Sequence, residues 1–192
     1  MSSVTPSIQT QKSAFRTSVR HSLQQISPEV HTVASDKILT RLVAHPSWHD
    51  SHRVLFFWPL PDEPDLRPLL DKKGSRQLFL PKIQENALIF FEIDSPKDLE
   101  KGPFELLQPK SSLPQIAPEK LDLICVPGLA FSLKGARLGR GKGFYDRLLA
   151  SPLPATRIGI CFHQQLFPTI PTEPHDCHVH HILTEYSNLD VR

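Results

Sequence analysis

The sequence predicts an α/β fold: a single domain with a mostly parallel, mixed sheet flanked by helices in a Rossmann-like three-layer arrangement. Three observations carry this. Short apolar runs alternate with stretches of helical spacing through most of the chain. One of those runs, Leu121–Val126, leads into a basic, glycine-rich loop that ends in a helical pattern at Phe144–Leu149. The third is size: 192 residues at 39% hydrophobic content suffice for one sizeable core.

Taken in order, residues 1–9 read as a flexible lead, and 10–192 as the catalytic domain. From Thr10 to Ile26, Phe15, Val19, Leu23 and Ile26 share one helical face. Lys12, Arg16 and Arg20 repeat on another face, which by pattern alone is a solvated charged stripe. Ser27 as N-cap and Pro28 at N1 open a second helix, running to about Ala44. Its apolar set is Val30, Val33, Ala34, Ile38 and Leu42.

Arg53–Pro59 reads as a buried strand, Pro61–Pro64 as a turn, and Leu66, Leu69 and Leu70 as the inner face of a short helix closed near Gly74. Gln77–Pro81 and Ala87–Ile93 are strands, whereas the proline-rich region 95–118 is irregular. Leu121–Val126, Arg157–Phe162 and His181–Glu185 are further strands, and Gly143–Ala150 is a helix. In such sheets ligands bind beyond the carboxyl ends of the parallel strands. That rule gathers Glu63, Lys82, the glycine loop and residues 163–176 in one crevice.

Between Gly128 and Gly143 the chain places five of its eight glycines, with Lys134, Arg137, Arg140 and Lys142 threaded among them. Glycines let backbone N–H groups approach an anion, and Arg and Lys supply the compensating charge. A strand, such a loop and a helix N-terminus together suit nucleotide phosphates. The alternatives at this level are a solvated surface loop or an RNA contact. The spacing is neither a P-loop, since Gly143 follows Lys142, nor a dinucleotide fingerprint.

The balance of the sequence narrows the classes. Net charge is +2, too small for a general polyanion binder, so no nucleic-acid partner is expected. No apolar run approaches a membrane span, and the N-terminus lacks a secretory pattern. The odd count of three cysteines suits a reducing, cytoplasmic setting. Cys177, His178, His180 and His181 invite a zinc reading, but no second Cys/His group stands at standard spacing. Without further information Asp146 would pair with Arg147 or a neighbouring helix, and Trp58, at a strand end, is open between core packing and an aromatic wall for a ligand ring.

The segment Pro127-Gly128-x-x-Phe131 followed by Arg137-Leu138-Gly139-Arg140-Gly141-Lys142-Gly143-Phe144-Tyr145-Asp146 resembles the signature of the 5-formyltetrahydrofolate cyclo-ligase family, also called 5,10-methenyltetrahydrofolate synthetase. The resemblance extends from about Lys12 to about Glu185. It implies a ligase of one-carbon metabolism that uses ATP and Mg²⁺ to close 5-formyltetrahydrofolate to 5,10-methenyltetrahydrofolate through a phosphorylated imidate. It further implies that Lys12, Arg16 and Arg137 to Tyr145 (Leu138, Gly139, Arg140, Gly141, Lys142, Gly143 and Phe144 included) bind ATP. Arg16, Trp58, Glu63 and residues 140–144 would face the folate, Arg140, Lys142 and Tyr145 would act in catalysis, and Asp146 and Asp176 would hold Mg²⁺. The partners implied are a reduced folate and ATP, with the protein a monomer.

Two positions depart from the family pattern: Ser132, where an acidic residue is usual, and His180, where a second Asp is usual. The rival classes are a sugar-phosphate isomerase or CoA-transferase-like enzyme on a similar sheet, and a non-catalytic folate or RNA binder.

Overall fold

The computed structural model describes residues 6–102, 106–173 and 176–191. Its centre is an eight-stranded sheet in the order β13-β12-β10-β7-β1-β2-β3-β6. The strands are β1 (Arg53–Leu55), β2 (Gln77–Gln84), β3 (Ala87–Ile93), β6 (Gln115–Ile116), β7 (Leu123–Pro127), β10 (Thr156–Ile160), β12 (His181–Leu183) and β13 (Asn188–Asp190). Neighbours among β12, β10, β7, β1 and β2 pair parallel, whereas β13, β3 and β6 join the edges antiparallel. This is the mixed, mostly parallel sheet expected.

Period-two alternation explains why both faces are apolar. Val54, Leu78, Leu80, Leu123, Cys125, Ile158 and Ile160 pack in one core cluster, and Leu55, Phe79, Ile124, Val126 and Ile182 in the other. Helices α1 (Ile8–Leu23), α2 (Pro28–Val43), α3 (Pro46–His49) and α4 (Leu69–Lys72) bury residues in or beside the first cluster. Helix α5 (Phe144–Ala150) contributes Leu149 to the second. The result is three layers with the sheet in the middle.

Local signals set the helix ends. Ser7 accepts the Thr10 amide and caps α1, and Ser27 accepts the Val30 amide ahead of Pro28 in α2. Helix α1 therefore starts two residues inside the stretch assigned to a flexible lead; residues 1–5 of that stretch lie outside the described residues. In α2 the inward face is rotated from the expected one. Val30 and Val33 are exposed, while Ser35 and Leu39 are buried with Ala34, Ile38 and Leu42. The apolar stripe was wide enough to fit two rotations, and packing chose the one that lets Ser35 Oγ accept the Asp65 amide at 3.0 Å.

Other boundaries shift. Strand β1 ends at Leu55, although Phe56 and Phe57 continue buried and Phe56 still donates to Phe79 O. Strand β2 runs past Pro81 to Gln84 because it forms a hairpin with β3. Region 95–118 is less irregular than its prolines suggest. It holds β4 (Leu99–Lys101) and β5 (Leu107–Pro109), an antiparallel ribbon, and the edge strand β6; residues 103–105 lie outside the described residues. Lys82 Nζ is bonded to Glu100, Pro109 O and Ser111 and fixes this ribbon to β2.

Several short strands are absent from the sequence reading, β13 among them. β8 (Ala130–Ser132), β9 (Arg137–Leu138) and β11 (Leu166–Phe167) form a second sheet in the order β11-β8-β9. It projects from the carboxyl end of β7 and carries the glycine loop.

Candidate active site

The β8–β9 hairpin divides the glycine-rich segment into parts with different work. Gly128 makes room for an aromatic ring: a Cβ there would lie 2.8 Å from Phe131 Cε2 and Cζ. Gly135 closes the hairpin turn. Only residues 139–143 form the loop between β9 and α5. Gly143 adopts φ +69° as N-cap of α5, a conformation that strains any residue with a side chain.

Three cations of the motif have distinct fates. Arg137 is buried, with Nε donating to Pro127 O at 2.7 Å and Nη1 to Asp146 Oδ1 at 2.8 Å. Its guanidinium also lies over the Tyr145 ring, 5.3 Å from the centroid. Arg140 reaches across to the turn after β1. Its Nε donates to Glu63 Oε1 at 3.1 Å, and Nη1 and Nη2 grip Asp62 at 3.1 and 2.6 Å. Lys142 is exposed at the loop surface. Leu138 sits in the core and its carbonyl accepts the Leu129 amide, so only the backbone around it borders the loop. Phe144 is half-buried beneath the Arg147 guanidinium, 5.0 Å away.

Helix α1 supplies two further cations. Arg16 Nε donates to Gly139 O at 2.9 Å, which fastens α1 to the loop. Lys12 is 3% exposed, with Nζ 2.6 Å from Asp176 Oδ2 and 2.8 Å from Glu173 Oε2. The solvated-stripe reading fails for Lys12, since Glu173 and Asp176 close on its ammonium. Burial works against its charge, but the bonds it donates to Asp176 and Glu173 prevail and its pKa is raised.

On the opposite wall Glu63 is 6% exposed. Burial pushes its pKa up, while Arg140 and the Leu60 amide, which donates to Oε2 at 3.0 Å, pull it down; the net direction is upward. His31 contacts the Glu63 carbonyl at 3.0 Å. Trp58 is half-buried against the first core cluster. Tyr145 Oη is buried without a hydrogen-bond partner among the described residues, and burial raises its pKa, keeping it a neutral donor.

Cys177, next to Asp176 in the chain, donates from Sγ to Asp146 O at 3.6 Å, so the two segments adjoin. Each carboxylate is already in contact with a cation, Arg137 or Lys12. Two hard oxygen donors beside a basic loop fit Mg²⁺, which completes its shell with water and phosphate oxygens. Among the described residues no group of three or more His, Cys, Asp or Glu side chains is placed to hold a metal. His175 lies outside the described residues.

Both departures from the family pattern keep an acceptor in place. Ser132 Oγ accepts the Lys134 and Ala136 amides at 3.3 and 3.1 Å, anchoring the hairpin turn. His180 Nδ1 accepts the Arg157 amide at 3.2 Å. The sequence reading overlooked Asp62 and Glu173. The proline-bracketed turn Pro61-Asp62-Glu63-Pro64 was the available signal for Asp62; Glu173 had none.

Comparison with known proteins gives the family and the fold. A family model, the 5-formyltetrahydrofolate cyclo-ligase family, matches residues 8–185. The mouse 5-formyltetrahydrofolate cyclo-ligase is 28% identical, covering 92% of this chain and 94% of its own. The Mycolicibacterium smegmatis enzyme of that name is 36% identical over 68% of this chain and 72% of its own. Among solved structures, the Aquifex aeolicus 5,10-methenyltetrahydrofolate synthetase superposes with TM-score 0.86 at 34% identity, covering 94% of this chain and 93% of that one. The Mycoplasma pneumoniae synthetase, at 20% identity, shares the fold with TM-score 0.74.

Proposed function

The chain belongs to the 5-formyltetrahydrofolate cyclo-ligase family, and from that we propose how its own residues carry out the ATP-dependent closure of 5-formyltetrahydrofolate to 5,10-methenyltetrahydrofolate. The formyl oxygen is a poor leaving group. It attacks the γ-phosphorus of ATP, the bond to ADP breaks, and the formyl group becomes a phosphorylated imidate. The neighbouring secondary amine then attacks the formyl carbon, and phosphate departs with the oxygen and carries off the amine proton. Positioning and charge neutralisation are what a protein contributes to such a sequence.

The observation that carries the reading is the contact of Arg140 with Glu63, which brings the glycine loop against the turn after β1. One pocket edge thus offers a carboxylate for paired ring donors, and the other a basic loop for phosphates. Glu63 accepts the pterin N–H groups, and Trp58 walls the ring. Lys142 and Arg16 meet the nucleotide phosphates beside the backbone of Gly139, Gly141 and Gly143, with Phe144 next to them. Arg137 acts from beneath by orienting Asp146. The Tyr145 hydroxyl donates to an oxygen of the reacting centre.

Asp146 and Asp176 would hold Mg²⁺, which when bound neutralises phosphate charge. Lys12 then balances Asp176 and Glu173 and holds these two carboxylates beside α1. We read the protein as a monomer acting in the cytoplasm; among the described residues no helix is long and apolar enough to cross a membrane.

The test is direct. Purified protein is given 5-formyltetrahydrofolate with and without Mg-ATP, and methenyl product is followed by absorbance. Product and ADP in equal amounts are expected. Nucleotide-independent conversion, or folate binding with no turnover, would overturn the reading.

A further inference from the structure

We propose that Asp62 is a positioning residue of the folate subsite, acting through Arg140 to hold the Glu63 carboxylate in the orientation that reads paired ring donors. This rests on the folate reading given above for Glu63.

The geometry is a three-member clamp. Arg140 has five N–H donors in a rigid plane. Its Nη1 and Nη2 engage both oxygens of Asp62 at 3.1 and 2.6 Å. The perpendicular edge, Nε and Nη2, meets Glu63 Oε1 at 3.1 and 3.0 Å. A bidentate fork fixes the plane of a guanidinium as a single contact does not. Glu63 Oε2 takes the Leu60 amide at 3.0 Å. Both oxygens of Glu63 are therefore oriented by donors.

Charge shows that Asp62 acts indirectly. Two carboxylates and one guanidinium leave the cluster net negative. Facing Glu63 directly, Asp62 is a like charge and disfavours its ionised form, while Arg140 favours it. A residue present only to balance Glu63 would not be an acid. What Asp62 adds is the far end of the clamp. Without it, a long side chain that is still 30% exposed is held by Glu63 alone, and the buried Glu63, at 7%, loses its fixed partner.

The consequence is selective. A ligand that presents adjacent N–H donors, as an aminopyrimidinone ring does, depends on the orientation of Glu63. In the reading proposed above the nucleotide meets Lys142, Arg16 and the loop backbone rather than Glu63. Loss of Asp62 must therefore fall on the folate and spare ATP.

The experiment measures KM for 5-formyltetrahydrofolate and for ATP, with kcat, in wild type, Asp62→Ala, Asp62→Asn, Arg140→Ala and the Asp62→Ala/Arg140→Ala double variant. Asp62→Ala is expected to raise KM for the folate about tenfold or more while KM for ATP stays within about twofold, the scale of one charge-assisted contact. Adding Asp62→Ala to Arg140→Ala is expected to change KM for the folate by less than about twofold, because the clamp is already gone. Asp62→Asn keeps one fork acceptor and falls between. An unchanged KM for the folate in Asp62→Ala, equal effects on both substrates, or the full effect persisting in the Arg140→Ala background would each overturn the inference. Should Asp62→Ala fail to fold, Asp62→Asn is judged on the same comparisons. Wild-type protein without turnover removes the folate reading and the inference together. Normal turnover with an indifferent Asp62→Ala removes the inference alone.

Discussion

Arg137 Nη1 donates to Asp146 Oδ1 at 2.8 Å from a side chain only 6% exposed. The same guanidinium satisfies the Pro127 carbonyl at the end of β7. One residue of the signature thus ties the central sheet to the first turn of α5 and sets where Asp146 points. Arg137→Met should leave both acceptors without their donor and cost about 3 kcal/mol, within the range for breaking a buried pair. Arg137→Lys, with a single ammonium, cannot reproduce the fork and should cost about 1–2 kcal/mol. Urea unfolding of the two variants checks the order.

Lys12 ties α1 to the late segment through Glu173 and Asp176. Its pKa is raised above 10.5, so its contribution to stability is complete below that value and is lost as pH rises through the higher folded value. Lys12→Met should lower stability at neutral pH by about 3 kcal/mol, since two carboxylates are left facing each other. Above pH 10.5 the difference between variant and wild type should shrink. Denaturant midpoints from neutral to strongly alkaline pH measure it; a constant difference would remove the ion pair as the cause.

The acid side depends on Asp122. Its carboxylate accepts the His52 and Arg53 amides and the Nε and Nη2 donors of the Arg53 guanidinium, closing the N-terminal end of β1. Burial pushes its pKa up, but the Arg53 and backbone bonds prevail and it lies below 3.8. Its contribution is present above pH 3.8 and disappears as pH falls through the lower folded value. Arg53 is partly exposed, so the contribution is about 1–2 kcal/mol. Asp122→Asn should show that loss at neutral pH and a shallower decline in acid.

Lys142 and Asp146 separate charge from metal in turnover. Lys142→Ala should cost about 2–4 kcal/mol of transition-state stabilisation, the scale of one preorganised charged donor. Near-normal kcat/KM would take Lys142 out of the mechanism. Chelation with EDTA should abolish turnover and added Mg²⁺ restore it. Asp146→Asn should need more Mg²⁺ for the same recovery, and a wild-type Mg²⁺ titration in that variant would show that Asp146 is no ligand.

Local chemistry made much of this protein legible. Ser27-Pro28 marks the start of α2 because capping and a preset φ act within four residues. The apolar runs at β1, β7 and β10 stand out because both sheet faces are covered. Region 95–118 was opaque because β4, β5 and β6 are two or three residues long, held by a ribbon partner, by Lys82 and by β3. So short a strand has no period to read.

By itself the sequence determined the α/β class, the family signature and the residue types gathered at the site, since these follow from periodicity, turn chemistry and a contiguous motif. Only the tertiary structure decided what each charge does. Lys12 and Arg16 lie one helical turn apart, yet Lys12 is buried by a segment more than 160 residues away, while Arg16 holds a loop carbonyl. Arg137 and Arg140 are three residues apart, yet one points beneath the loop to Asp146 and the other crosses to Asp62 and Glu63. Burial and long-range pairing are properties of the folded surface a charge meets, and no local pattern encodes them.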